Sequence, residues 1–310
     1  MSGTDDMSGT RDEAGIPWIL PAIQQDIAWR DGDIVISVPA KSGTTWTMNI
    51  VHQLLNAGCH AFEDIYAEVP WIEFLRHPGD TPADVHARLC TMPADRPRAF
   101  KTHSPPPVVP YLDGRDSAQV RYIVVLRNPE EALVSVMPFL AQHTDAWFDL
   151  WGLPRNMLCR SDFATFYADI IAKSGMHAQG FFGFLNAWWP LRAAPNVLFL
   201  HFGDMKRDHA GTIHKVADFL GISLDDAAWS RVLEYTSFAW MKAHQSRFEL
   251  PTVCPSPVLG PGAMIRKGET GHAREDGMTA SIAADLRRVG EATCPDPAAL
   301  EWYYTGGPLP

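Results

Sequence analysis

Four groups of residues have the types and spacing to do chemistry on an anion. Lys41-Ser42-Gly43-Thr44-Thr45 sets an ammonium, three hydroxyls and a glycine in consecutive positions. Gly43 lets the backbone come close to a ligand. A helix pattern starts just after it, so free N–H groups and the positive dipole end would point the same way. Such a site suits a dianionic phosphate; an ordinary strand-to-helix turn with these residue types is the alternative. Arg127 and Ser135 could bracket a second anion, with the guanidinium in bidentate contact. A helix-start Arg paired with Glu130 or Glu131 would leave the same pattern. Arg266-Lys267-Gly268 puts two cations beside a glycine and could close over a phosphate, although basic pairs in loops are commonly solvated. His103, in Lys101-Thr102-His103, is the candidate general base near neutral pH. The alternative is a purely structural histidine.

The elements that must position these groups alternate in type. Ile34, Val35, Ile36 and Val38 form a β-branched run expected of a strand covered on both faces. Strands are also expected at 98–102, at 120–126 and at 196–201. Trp46, Ile50, Val51, Leu54 and Leu55 recur at helical spacing after the Gly43 turn, with Gly58 placed to cap. Pro129 and two glutamates open a further helix, which Pro138 should end or kink. Residues 181–193, 210–220, 224–234 and 279–290 read as helices, and 139–180 as the least regular stretch. The pattern implies one α/β domain with a parallel sheet and ligands at the carboxyl ends of its strands. Residues 41–45, 101–103 and 127–128 all fall directly after strands, which argues for one shared site.

Composition excludes several classes. The 310 residues carry a formal charge of −10, so nucleic acid and anionic membranes are poor partners. Five scattered cysteines without a C-x-x-C pair fit reduced thiols in a cytoplasm and argue against a zinc site. No apolar run approaches a membrane span. Residues 1–15 are polar and acidic and read as a disordered tail before a single domain at 16–310. The alanine-rich, lysine-poor chain has a bacterial look.

Lys41 precedes the glycine, and Ile36 stands where a Walker A loop has its first glycine, so this is no standard ATP or GTP loop. The order P-x-K-S-G-T-T-W instead resembles the 5′-phosphosulfate loop of the cytosolic-type sulfotransferases, which use 3′-phosphoadenosine 5′-phosphosulfate (PAPS). Arg127-Asn128-Pro129 with Ser135 resembles the family's 3′-phosphate motif, and Arg266-Lys267-Gly268 its C-terminal 3′-phosphate loop. Lys101-Thr102-His103 resembles the catalytic stretch. Trp46, Thr236 and Phe238 resemble positions that hold the adenine.

The resemblance implies a P-loop-like fold and sulfuryl transfer from PAPS to a hydroxyl or amine, with adenosine 3′,5′-bisphosphate (PAP) as product and no metal. His103 would be the base, Lys41 would stabilise the leaving phosphate and Lys101 would neutralise sulfuryl oxygens. Loop N–H groups from Ser42 to Thr45 would hold the 5′-phosphate. The acceptor is expected to be small and largely apolar, in a pocket lined by residues 60–97 and 139–180. Two departures stand out. Gly271-His272-Ala273-Arg274 replaces the usual Gly-Asp-Trp-Lys, and Phe202-Gly203-Asp204 replaces Tyr-Glu-Asp, which removes a tyrosine hydroxyl. The dimer motif of some members is missing, so oligomeric state stays open. A P-loop kinase or NTPase, needing a strand-end Asp for Mg²⁺, and a non-catalytic nucleotide-binding relative are the rivals.

Overall fold

The computed structural model describes residues 16–310 except 60, 94, 95, 116 and 253. The expected N-terminal tail lies outside the described residues. Four short strands build the sheet: β1 (Ile34–Ser37), β2 (Ala99–Thr102), β3 (Arg121–Leu126) and β4 (Val197–His201). Their order is β2-β1-β3-β4 and every pairing is parallel. Almost every strand residue is buried, as the unbroken β-branched and aromatic runs require when helices cover both faces. Alternation divides the runs: Val35 and Val124 pack with Phe184 and Trp188 on one side. Ile34, Ile36 and Val125 pack with Ile50, Val51 and Ile213 on the other.

After β1 the chain enters α1 (Thr44–Leu55), which buries Met48, Ile50, Val51 and Leu54. Its end is closed one residue earlier than the glycine suggests. Ala57 takes the left-handed conformation (φ 50°), and the Gly58 N–H bonds the Gln53 carbonyl at 2.9 Å. Short helices α2 (Ile65–Glu68) and α3 (Pro82–Cys90) precede β2, and α4 (Pro129–Ala141) follows β3. Asn128 caps α4 by accepting from the Glu130 and Glu131 N–H groups, with Pro129 at the first position. Pro138 does not end α4, which runs on to Ala141 and forgoes only the bond that proline cannot donate.

The stretch expected to be least regular is largely helical. It holds α5 (Asp145–Trp151) and α6 (Phe163–Phe166), then two runs of wide π-type turns at Tyr167–Ala172 and His177–Gly183 leading into α7 (Phe184–Trp188). The turns between α6 and α7 are wider than the 3.6-residue period by which a helix is read, so that signal blurs. Beyond β4 come α8 (Phe202–Arg207), α9 (His209–Leu220), α10 (Asp226–Tyr235) and α11 (Phe238–Ala243). The chain ends in α12 (Ala280–Thr293) and α13 (Pro297–Thr305), of which α13 was not anticipated. Asp33 and Arg98, both buried, form a two-bond ion pair at the starts of β1 and β2, 2.5 and 2.9 Å.

Candidate functional site

The carboxyl ends of β1, β2 and β3 open into one cleft, where the 41–46 loop, Lys101, His103, Arg127 and Ser135 meet. The far loop adds Arg266, Lys267 and Gly268, and α11 adds Phe238. The cleft holds about 1380 Å³ of space, its open mouth included.

The turn after β1 is built by left-handed residues. Lys41 has φ 61° and Gly43 has φ 97°. A Cβ on Gly43 would stand 2.7 Å from the Phe202 ring. Gly43 is also the N-cap of α1, so no side chain satisfies the first turn. The Thr44 hydroxyl is buried without a partner among the described residues. These are the donors that a phosphate at a helix start collects. The Lys41 ammonium sits 4.2 Å from the centre of the Phe139 ring. Burial, then repulsion from Arg266 and Arg127, pushes its pKa down to about 7.

Arg127 is braced from three sides. It donates to Glu131 Oε2 at 3.1 Å, to the Lys41 carbonyl at 3.3 Å and to the Glu269 carbonyl at 3.0 Å. The helix-start pairing with Glu131 therefore exists, and the same guanidinium still lines the cleft. Glu131 Oε1 takes the Gly271 N–H at 2.6 Å and so ties the far loop to α4. Arg266 and Lys267 both face Asp276, at 3.6 and 2.7 Å. Gly268, at φ 63°, lets the Phe238 ring come so close that a Cβ there would lie 2.4 Å from it.

His103 has the tautomer a base needs. Its Nδ1 lies 2.5 Å from the Val38 carbonyl, which can only accept, so Nδ1 carries the hydrogen and Nε2 keeps its lone pair. Burial, then the charges of Lys101 and Lys41, hold its pKa well below the ordinary 6.5, so the ring is neutral at physiological pH. Lys101, 2% exposed, lays its ammonium 2.9 Å from the centre of the Trp71 ring. Burial holds its pKa well below the usual lysine range, against an upward pull from Glu73.

Two expected site residues stand back from the cleft. Ser42 is fully buried; its hydroxyl reaches the Ala40 carbonyl at 3.5 Å, and its N–H is already taken by the Pro39 carbonyl at 3.3 Å. Its N–H therefore is not among the free donors of the loop. Thr236 is also buried, its hydroxyl 2.7 Å from the Val232 carbonyl and 2.9 Å from His209 Nε2. It acts through its carbonyl, which takes the Trp46 indole N–H at 2.9 Å and fixes that ring beside Phe202 and His209. Trp46 itself reaches the cleft.

Lys206 and His272 also line the cleft; most of the remaining wall is apolar and only half anticipated. Tyr66 and Trp71 come from the expected rim at 60–97, but Phe139 is the one contributor from 139–180. Trp147, Phe148 and Trp151 instead pack on Val258 and Leu259, while Phe163, Phe166 and Tyr167 join the main core. Leu250, Met264 and Ile265 from the Pro/Gly loop complete the wall. The stretch 69–74 also holds the buried Glu73, missed in the sequence although a carboxylate inside an apolar run is its own signal.

A parallel sheet with a glycine turn and an uncapped helix start after its first strand defines a P-loop-like α/β protein. The family model for the sulfotransferase domain matches residues 31–295. Rat sulfotransferase 1A1 is 31% identical over 271 residues, covering 83% of this chain and 84% of that protein. The chain thus belongs to the sulfotransferase family. Among solved structures, mouse sulfotransferase SULT7A1 complexed with PAP superposes with a TM-score of 0.66 at 21% identity, over 91% of this chain and 90% of that one. Retinol dehydratase in complex with androsterone and PAP gives 0.64 at 19% identity, over 89% and 86%. Both share the fold.

Proposed function

We propose that this sulfotransferase moves the sulfuryl group of PAPS to a hydroxyl or amine of a small, largely apolar acceptor. One observation carries the proposal: a cluster of cations, an uncapped helix start and a neutral histidine with a free Nε2 share a cleft whose other wall is apolar. The unpartnered Thr44 hydroxyl and the open first turn of α1 fit a 5′-phosphate. Arg127, Arg266, Lys267 and Ser135 fit a second phosphate, and Trp46 with Phe238 fits a purine between them. That the mouse and retinol dehydratase structures hold PAP supports the same donor here.

PAPS, when bound, would supply the sulfuryl group: the bond from its sulfur to the 5′-phosphate oxygen breaks as the bond to the acceptor oxygen or nitrogen forms, and PAP leaves with the electron pair. His103 Nε2 accepts the acceptor's proton, and the ring is held ready because Nδ1 is committed to Val38. Lys41 places its charge where negative charge grows on the leaving phosphate, and Lys101 does so at the transferring group. Tyr66, Trp71, Phe139, Leu250 and Met264 desolvate the acceptor and select an apolar body, such as a phenol, a lipid alcohol or a natural product. The five free thiols fit a reducing, cytoplasmic setting.

The test is transfer of radiosulfur from PAPS to a panel of phenols, sterols, long-chain alcohols and aryl amines. The wild type should label at least one class. His103→Ala should lose turnover by about a thousandfold, within the range of a lost general base, while its affinity for PAP stays near wild type. PAP binding with no transfer to any acceptor would point to the non-catalytic reading. No PAP binding would overturn the donor assignment.

A further inference from the structure

We propose that Glu73 is a positioning residue of this site: its buried carboxylate favours the ammonium form of Lys101 and pins the backbone from which His103 projects. The inference rests on the roles given above to Lys101 and His103. Glu73 enters from the segment that runs beside β2. There the Ile72 N–H bonds the Lys101 carbonyl at 3.0 Å, and the Lys101 N–H bonds the Pro70 carbonyl at 2.9 Å. The carboxylate is 1% exposed. Oε1 accepts from the His103 N–H at 2.8 Å and from the Thr102 hydroxyl at 3.0 Å. Oε2 is buried with no hydrogen-bond partner among the described residues.

A buried carboxylate with one bare oxygen is costly unless a nearby cation offsets it. The neighbouring groups leave one candidate. Gln24 and Ser104, which complete the Thr102 network at 2.8 and 2.9 Å, are neutral. Lys101 is buried on the Trp71 ring, and among the described residues Glu73 is the one anion whose field reaches its ammonium. The other charged or titratable groups in this part of the cleft are His103, held neutral, and Lys41, a like charge. Burial favours loss of the Lys101 proton, and the Glu73 charge works against that pull. One side chain thereby serves two functional groups, Lys101 through its field and His103 through a backbone bond.

Glu73→Gln keeps the shape and the bond to the His103 N–H but removes the charge. Lysine side-chain NMR, with the Lys101 signal assigned by its loss in Lys101→Arg, follows the ammonium in the free protein without any turnover. Its titration midpoint should fall by about one pH unit in Glu73→Gln, which is about tenfold in the proton equilibrium. The basic limb of the kcat profile should move to lower pH with it, while PAP affinity stays within about twofold. Glu73→Asp retains the charge and shortens the reach; it should lower kcat with the Lys101 midpoint near wild type. An unmoved midpoint in Glu73→Gln overturns the inference, as does a loss of kcat equal at every pH. A low midpoint in Glu73→Asp would do the same should Glu73→Gln fail to fold. A wild type that transfers no sulfuryl would count against the proposed reaction and leave the NMR result to decide the role of Glu73.

Discussion

Lys41 carries two opposed demands in one side chain. The loop buries it among Arg127 and Arg266, which drives its proton off, and a phosphate at the helix start needs that proton on. The sign follows directly. Below about pH 7 the free ammonium is charged and binding a phosphate costs no protonation. As pH rises above about 7, each binding event must first take up a proton, so PAP affinity should fall, approaching tenfold per pH unit. Calorimetry in buffers of different ionisation heat should register that uptake, and Lys41→Arg should flatten the trend. Affinity that holds level well above neutrality would refute it. The identity of Lys41 was plain in the sequence; its depressed pKa was not, because burial is a property of the packed molecule and the repelling arginines lie 86 and 225 positions further along the chain.

At the scale of the element, the strand–turn–helix unit is the best-read piece of the chain. A β-branched run, a glycine and a 3.6-residue pattern each name a local structure, and all three formed within a residue or two of expectation. What Gly43 does was only half visible. Its left-handed φ belongs to the turn, but the absence of a Cβ also admits the Phe202 ring, delivered from beyond β4. Gly43→Ala should therefore destabilise the fold by about 1–3 kcal/mol through strain and overpacking, read by urea unfolding. It should also weaken PAP binding, because the first-turn N–H groups of α1 swing off target. Wild-type affinity in this variant would mean that the turn does not hold the phosphate. The wide-turn run Tyr167–Ala172 and the start of the run His177–Gly183 escaped for the opposite reason: their aromatics are legible as apolar, but not by a helical period.

Over the whole molecule, stability and chemistry sit at opposite ends of the sheet. The Asp33–Arg98 pair pins the starts of β1 and β2, and the cleft lies beyond their carboxyl ends. Asp33→Ala would leave the Arg98 guanidinium buried and unpaired, which costs about 3–5 kcal/mol. Chemical denaturation should show that loss, while PAP affinity under native conditions should change little. A large drop in affinity would mean that the two ends are coupled. The charge of −10 adds a further constraint at this scale. A polyanionic donor is met by a handful of local cations at short range, where screening over about 8–10 Å leaves the distant acidic surface with little say.

The sequence by itself determined the parallel α/β plan, the glycine turn into α1 and the strand-end groups that share one cleft. Each is a local pattern of a few consecutive residues whose physics is set by backbone geometry and periodicity. Tertiary structure alone decided which members of those motifs face the cleft. Ser42 and Thr236 turned inward because neighbouring carbonyls claim their polar groups. Glu73, Phe202 and the 250–265 loop came into play because the sheet order brings distant segments together. It also set the protonation of Lys41, Lys101 and His103, since burial and the field of neighbours are properties of the packed molecule and not of any stretch of chain.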